Sequence, residues 1–400
     1  MKITRVETIR LDEFSNLLWL RLHTDEGVVG LGESFFGARA IEAYIHETAA
    51  LTLLGRDPLQ IERLHRDLTP YIGFIGTGAE TRGRSAIDLA LWDLWGRVAD
   101  QPVYQLLGGL THDKMRIYNT CAGYRYVRSR PNWSLDDWGT GGEAEGPYED
   151  LEAFLHDAGE LALSLLEQGI TGMKIWPFDF AAKESGGYYI SSADLKAALE
   201  PFAKIRKAVG DKMDIMVEFH SLWRFPAAIK IAEALKEFDP FWYEDPIRMD
   251  SIEAVAEFAS ATNVPVCASE TLGARYEHHR ILEAGAAGII MPDLTWCGGI
   301  TEAKKIASLA DTYHRPIAPH DCSGPLALMA SIHLSLNAPN TLIQETVRAF
   351  YTGWYKELVT VLPDIREGYV YPPEGPGLGT DLLPEVFERK DIHVTVTEAD

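Results

Sequence analysis

The chain has 400 residues, 46% of them hydrophobic, and its 59 acidic residues against 37 Lys and Arg give a formal charge of −22. This charge disfavours nucleic acid and anionic membranes as partners, and no run of about 18 apolar residues predicts a membrane span. The 4 cysteines form no CxxC pair, which favours a reducing compartment. We expect a soluble cytoplasmic enzyme, and a bound cation would still allow an anionic substrate.

The N-terminal region predicts a small α+β module. Residues 1–34 alternate like three strands of an antiparallel meander, with a hairpin turn at Asp25-Glu26-Gly27. Helical periodicity follows over 38–68 and 78–107, most clearly in SAIDLALWDLWGRVADQPVYQLLGG. Strands followed by helices predict a separate module over residues 1–113.

From Lys114 onward, short apolar runs end in polar residues and alternate with helix-like segments. Such βα units build a parallel sheet, and eight of them close into a (β/α)8 barrel, an α/β fold with its functional groups at the C-terminal strand ends. We place the barrel at 114–355 and expect the tail, 356–400, to return to the N-terminal module. Two inserts, 124–148 and 180–191, are expected to be active-site loops or disordered tips. The eight predicted strand ends are Tyr118, Lys174, Glu218, Glu244, Glu270, Asp293, His320 and Glu345.

Three of these strand ends carry glutamates at equal spacing: Glu218, Glu244 and Glu270. One glutamate at a strand end is most often a solvated surface residue. Three, each after a strongly apolar run, favour convergence at one edge of the sheet, where they would repel one another unless a cation lay between them. An oxygen-only ligand set suits Mg²⁺, or Mn²⁺, better than Zn²⁺.

Two histidines are candidates for acid–base chemistry. Asp293 and His320 end adjacent predicted strands, and a carboxylate that orients an imidazole raises its basicity. A satisfied structural histidine is an equally good interpretation of this spacing. His220 lies two residues after Glu218, so it shares that strand's face and could protonate a leaving hydroxyl. As a lone histidine it is more often structural than catalytic.

Two further strand ends carry charged groups that could serve a substrate. Lys174 is placed to pair with an anion beside the metal. Glu345 could hydrogen-bond a substrate oxygen if it stays protonated among the other charges.

The order lysine strand, Glu, Glu, Glu, Asp, His, Glu resembles the enolase superfamily, in particular its mandelate racemase-like subgroup. The SAIDLALWDLWGRVADQPVYQLLGG and PGLG stretches are similar as well, so the resemblance covers nearly the whole chain. It implies an α+β capping domain over a modified (β/α) barrel, bound Mg²⁺, and abstraction of the proton α to a carboxylate to give an enediolate. It also suggests a homo-oligomer, often an octamer.

By this resemblance, His320 with Asp293 matches the base dyad, and Glu345 matches the acid that hydrogen-bonds the substrate carboxylate. The first metal ligand is more often Asp in the family, so a glutamate there is a mild departure. The matching metal ligands are Glu218, Glu244 and Glu270.

One departure from the family pattern concerns the reaction. Lys174 matches the first lysine of the family's Lys-x-Lys strand, but the second position is Trp176, which cannot take a proton. One base plus an acid at His220 resembles the acid-sugar dehydratases, which give 2-keto-3-deoxy acids. A racemase, epimerase or cycloisomerase is the alternative. A further alternative is a non-catalytic barrel that binds a metal, and such a barrel would not need His320.

Substrate identity is expected to depend on the capping module and the inserts. In the family's pattern, loops near the N-terminus close the barrel mouth, and 13–16 and 71–76 are the candidates here. The first insert carries side chains that could meet a polyhydroxy or dicarboxylate ligand, or lie in a solvated loop: Arg125, Tyr126, Arg128 and Arg130.

Overall fold

An antiparallel sheet of four strands, in the order β13-β1-β2-β3, forms the N-terminal layer. The computed structural model describes residues 1–69, 76, 78–126, 128, 138–141 and 145–399. The predicted hairpin turn joins β2 to β3, with Gly27 at φ 79°. β13 comes from the end of the chain and pairs antiparallel with β1, from Arg5–Glu398 to Leu11–Ile392. The four strands are β1 (Ile3–Leu11), β2 (Leu17–Thr24), β3 (Val29–Phe35) and β13 (Ile392–Glu398).

Helices cover one face of this sheet, and the longest of them packs directly on β3. Gly30 and Gly32 allow the close approach, because a Cβ at Gly32 would lie 2.0 Å from the Ala86 carbonyl oxygen and one at Gly30 2.1 Å from that of Ala90. The helices are α1 (Ala38–Tyr44), α2 (Ala50–Leu53), α3 (Ile61–Asp67), α4 (Ala79–Ala99) and α5 (Val103–Leu106), with a π-helical turn at Ile45–Ala49.

The second sheet is parallel and follows chain order from β4 to β9, while β10 pairs with β4 on its other side. Single-residue bridges from Ile290 to Ile317 and from Ile317 to Thr341 connect β9 to the segment that leads into β10. These seven strands and the Ile317 position form a ring of eight. The strands are β4 (Met115–Thr120), β5 (Gly172–Ile175), β6 (Asp214–Glu218), β7 (Trp242–Glu244), β8 (Val266–Ala268), β9 (Ile289–Ile290) and β10 (Gln344–Thr346).

Helices surround this ring and confirm the predicted (β/α) barrel beneath an α+β capping domain. The side chains inside the ring are packed rather than solvated, since Tyr118 and Trp242 are fully buried and meet edge-on at 5.3 Å. The principal outer helices are α6 (Asp150–His156), α7 (Ala158–Glu167), α9 (Ser192–Val209), α10 (Phe225–Leu235), α11 (Ile252–Ala261), α12 (Ala274–Glu283), α13 (Gly299–Thr312) and α14 (Pro325–Asn337). No helix in the described ranges is long and apolar enough to cross a membrane.

The remaining elements are short. A helix, α8 (Asp179–Ser185), lies at the start of the second insert, and α15 (Arg348–Tyr351) follows β10. A hairpin of β11 (Ile365–Arg366) and β12 (Tyr369–Val370) adds antiparallel to the N-terminal end of β4. Single 3₁₀ turns occupy Gly210–Lys212, Lys236–Phe238, Trp354–Glu357 and Pro384–Glu388.

The structure corrects the predicted strand ends in one respect. β8 ends at Ala268, β9 ends at Ile290, and the seventh position is a single bridge at Ile317. Glu270, Asp293 and His320 therefore lie in the loops that follow, where the chain turns into the cavity rather than continuing the sheet. The apolar runs in the sequence extend beyond the ends of the strands because the residues of the following loops, at the barrel mouth, are buried as well.

We expect Gly32→Ala to destabilise the fold by about 3 kcal/mol, the upper end for overpacking, because its Cβ would meet backbone that cannot move alone. Urea unfolding measured by circular dichroism tests this. Leu51→Ala, at a side chain that is 78% exposed, is the control and should leave the midpoint unchanged. Equal midpoints for Gly32→Ala and the parent would show that the β3–α4 contact is looser than described.

Candidate active site

Three glutamates meet at the C-terminal end of the barrel. Glu218 and Glu244 end β6 and β7 and pair directly in register. Glu270 follows β8, and one carboxylate oxygen from each of the three residues lies within 4.8 Å of the others. Glu218 and Glu244 are fully buried, whereas Glu270 is 17% exposed towards the cavity. The equal spacing in sequence thus corresponds to one cluster.

The charges in this cluster test whether a metal ion fits it. Burial, and then the charge on Glu218, raises the pKa of Glu244 well above its ordinary value. Glu218 Oε2 is buried without a hydrogen-bond partner, and Lys174 Nζ lies 3.3 Å from it as an ion pair. One ammonium against three carboxylates leaves an excess of negative charge and an unused oxygen. A hard divalent cation with oxygen ligands, such as Mg²⁺, fits this donor set.

Lys174 lies at the centre of a buried ion-pair network rather than at its edge. Its Nζ also contacts Glu244 and lies 2.8 Å from Glu345 Oε1, while Glu345 Oε2 accepts a 2.9 Å hydrogen bond from the Asp321 backbone N–H. Burial alone would raise the pKa of Glu345, but the Lys174 ammonium and then His320 lower it. The Lys174 ammonium beside Glu345 thus favours the ionised form of this carboxyl group, whereas the predicted hydrogen bond to a substrate oxygen would need the protonated form.

His320 and Asp293 form an imidazole–carboxylate pair. His320 Nδ1 lies 2.7 Å from Asp293 Oδ2, and the Thr295 N–H and hydroxyl hold Asp293 Oδ1 at 2.7 and 2.6 Å. His320 Nε2 lies 3.0 Å from Glu270 Oε2. Burial would lower the pKa of His320, but Glu270 and then Glu345 raise it well above its ordinary value. A cation that neutralised Glu270 would remove the largest of these raising effects and favour the neutral, basic imidazole.

His220 forms a second imidazole–carboxylate pair, which the sequence did not predict. Its Nδ1 lies 2.6 Å from Asp179 Oδ2, and its backbone N–H donates to Glu218 Oε1 at 2.7 Å. Burial lowers the pKa of His220, but Asp179 and then Glu218 outweigh it and raise the pKa to about 9. Asp179 ends the same apolar run that contains Lys174. A carboxylate at the end of an apolar run was therefore the sequence signal that could have identified it.

The two pairs lie on opposite sides of the barrel mouth. His220 follows β6, the third strand position, and His320 follows the Ile317 position, the seventh, so four steps of the ring separate them. Both line a cavity of about 690 Å³, together with Lys174, Glu218 and Glu270. The apolar part of its wall is aromatic: Phe36, Tyr126, Trp138, Trp176 and Trp296.

Among the described residues of the first insert, Tyr126 and Trp138 line the cavity. Arg128 pairs with Glu13 and stacks on Phe14 at 5.0 Å, while Arg125 lies 3.9 Å from Glu145, so neither lines the cavity. Of the described residues in the set, Tyr126 does line it. Arg130 and residues 71–75 lie outside the described residues.

The capping domain reaches the cavity through residues that the sequence did not single out. Arg82, on α4, stacks over the Trp296 ring at 4.6 Å and donates to the Phe35 carbonyl at 3.1 Å. Phe36 lines the cavity beside it. The predicted loop 13–16 does not line the cavity. Its Glu13 instead forms ion pairs with Arg128 and Arg389.

Comparison with known proteins identifies the family. Residues 9–108 match the N-terminal domain of the mandelate racemase/muconate lactonizing enzyme family, and residues 157–386 match the enolase C-terminal domain-like family. The chain belongs to the enolase superfamily, in its mandelate racemase-like subgroup. The predicted family and fold are thereby confirmed.

Relatives of this enolase-superfamily chain include sugar-acid enzymes. It is 34% identical over 392 residues to a D-galactonate dehydratase of Ralstonia nicotianae, covering 96% of this chain and 92% of that one. A D-galactonate dehydratase of Pectobacterium atrosepticum is 31% identical over 397 residues, with 97% and 94% covered. A crystal structure of a mandelate racemase-subgroup enolase from Agrobacterium tumefaciens is 51% identical, with a TM-score of 0.89 over 100% of this chain and 99% of that one.

The carboxylate cluster predicts that Mg²⁺ stabilises this enolase-superfamily protein. At 100 times its dissociation constant, the ion should add about 2.7 kcal/mol to the free energy of unfolding. Thermal melts with EDTA and with rising Mg²⁺ measure this, and Glu270→Gln should abolish most of the shift. Glu62→Gln is the control, since Glu62 is 71% exposed and pairs only with Lys305. Identical melts with and without Mg²⁺ would contradict a metal site here.

Proposed function

We propose that the chain is a Mg²⁺-dependent dehydratase of sugar acids. It would remove the proton α to the carboxylate and the hydroxyl on the β-carbon, and the resulting enol would tautomerise to a 2-keto-3-deoxy acid. The observation that carries this proposal is the pair of imidazole–carboxylate dyads on opposite sides of one cavity. The D-galactonate dehydratases among its relatives support the substrate class.

His320 is the proposed base. Its Nδ1 is bonded to Asp293, which leaves Nε2 as the atom that takes the α-proton. Glu218, Glu244 and Glu270 would hold Mg²⁺, which supplies a positive charge to stabilise the substrate carboxylate as negative charge develops on it. Lys174 would orient that carboxylate, since its ammonium lies among the same oxygen atoms.

His220 is the proposed acid for the departing hydroxyl. With a pKa of about 9 it carries a proton at neutral pH, and Asp179 holds the ring through Nδ1 so that Nε2 can donate. A two-base racemase would instead need a group on the opposite face that gives a proton in one direction of the reaction and takes it in the other. The tryptophan at position 176 stands where the family's second lysine would lie and cannot carry that proton, which favours dehydration. A cytoplasmic homo-oligomer stays our expectation for the assembly.

We expect His320→Asn to lower kcat by about 10²- to 10⁴-fold, the usual contribution of a general base. The assay incubates the Mg²⁺-loaded protein with a library of mono- and diacid sugars and traps 2-keto products with semicarbazide. EDTA should abolish turnover as well. His393→Asn is the matched control, because His393 is exposed on the capping sheet and its ring pairs with Asp12. Full activity in His320→Asn would exclude this residue as the base.

Experiments in D₂O should distinguish the roles of the two imidazole–carboxylate dyads. His220→Asn and Asp179→Asn should lose dehydration but keep exchange of the α-proton, because His320 still abstracts it, whereas His320→Asn should lose both. Proton NMR of the recovered substrate measures the exchange. Inversion at the α-carbon during exchange by the parent protein, with no keto product, would instead establish racemisation. Loss of exchange in His220→Asn would also contradict the proposed division of roles.

A further inference from the structure

We propose that this cavity takes a sugar acid with a second anionic group at the end remote from the reacting carboxylate, and that Arg224 recognises that group. The inference rests on the proposed dehydratase function and narrows its substrate class. The remote group is a carboxylate or a phosphate, because a guanidinium binds both through two parallel hydrogen bonds.

The charge of the cavity wall is the first observation. Among the described residues, five Lys and Arg side chains line the wall, together with three acidic side chains, those of Asp179, Glu218 and Glu270. These cations lie in a protein whose formal charge is −22. Lys174 already lies among three carboxylates and Arg248 pairs with Asp250, so neither of these two is available to a second anionic group of the substrate. The five cations are Arg82, Lys174, Lys183, Arg224 and Arg248.

The surroundings of Arg224 are the second observation. Its Nε is buried with no hydrogen-bond partner, and no carboxylate in the described part of the chain forms an ion pair with it. Its guanidinium rests on the Tyr188 ring at 5.0 Å. Arg248, by contrast, donates to Asp250 at 2.8 Å and is 54% exposed at the cavity rim. A partly buried, unpaired guanidinium on a cavity wall is a site for an anion.

Arg224 lies on the same loop as two residues of the proposed site and lines the same cavity. Glu218 belongs to the carboxylate cluster, His220 is the proposed acid for the β-hydroxyl, and Arg224 comes four residues later at the start of α10. The Arg224 backbone N–H donates to the Gly187 carbonyl at 3.0 Å, which fixes the loop against the second insert. A substrate that extends from the cluster past His220 therefore approaches this wall.

A matched panel of six-carbon acids tests the inference: an aldonic acid, the aldaric acid of the same configuration, and the 6-phospho-aldonic acid. We expect the parent protein to prefer one of the two dianions by kcat/KM. Arg224→Ala should reduce that preference on the order of 100-fold, mainly through KM, and change the monoacid little. Arg224→Lys should restore part of it. The preferred dianion distinguishes a carboxylate from a phosphate.

Arg366→Gln is the control, since Arg366 is 60% exposed on β11 at the opposite end of the barrel. Parent turnover of the monoacid as fast as both dianions, or an equal loss on all three acids in Arg224→Ala, would overturn the inference and leave the dehydratase proposal standing.

A binding experiment decides the inference if no acid is turned over. Calorimetry with the Mg²⁺-loaded His320→Asn protein measures the affinity of the three acids without reaction. Tighter binding of a dianion that is lost in the His320→Asn, Arg224→Ala double variant would support the inference even if dehydration failed. Equal affinities for the three acids, or dianion binding that is indifferent to Arg224, would overturn it.

Discussion

The buried negative charge at the C-terminal end of the barrel constrains the rest of the site. Glu218, Glu244 and Glu345 are fully buried around a single ammonium, that of Lys174. Like charges in a low-dielectric environment repel strongly, and removal of one partner leaves an uncompensated charge. The ring of strands is what holds them together, because parallel register places Glu218 beside Glu244 and Glu345 beside Tyr118. A bound divalent cation would therefore relieve the repulsion that remains in this cluster.

The same buried negative charge gives the two imidazole–carboxylate pairs different roles in the proposed mechanism. Each histidine is oriented through Nδ1 by an aspartate, so the pairs are chemically equivalent in isolation. Their surroundings differ. The pKa of His320 is raised chiefly by Glu270, a candidate ligand whose charge a metal would neutralise. His220 is held protonated chiefly by Asp179, which lies outside the cluster. In the proposed mechanism, a bound metal would therefore act unequally on the two and leave His320 a base and His220 an acid, a division that environment commonly creates.

Much of this arrangement followed from the sequence, because strand periodicity and the polar residue after each apolar run are local signals. The fold class, the carboxylate cluster and the Asp293–His320 contact came from those signals. The Lys174–Glu345 ion pair did not, since its two residues lie on different strands. Asp179 was missed because its partner lies 41 positions away. The Arg128–Glu13 ion pair could not be predicted either, because a single sequence does not show which distant residues meet.

The position of positive charge also explains how a strongly acidic protein can receive an anion. Its surface repels anions at long range, but low-dielectric walls focus the field of the cations inside a cleft. Arg82 contributes from the capping domain and Arg224 from the barrel, so the cationic wall exists only when the two parts are assembled. β13 helps to fix that assembly, because it ties the end of the chain to β1 in a seven-residue register. In our proposal the anionic substrate therefore meets residues of both parts, and Arg224 selects the acid as well as attracting it.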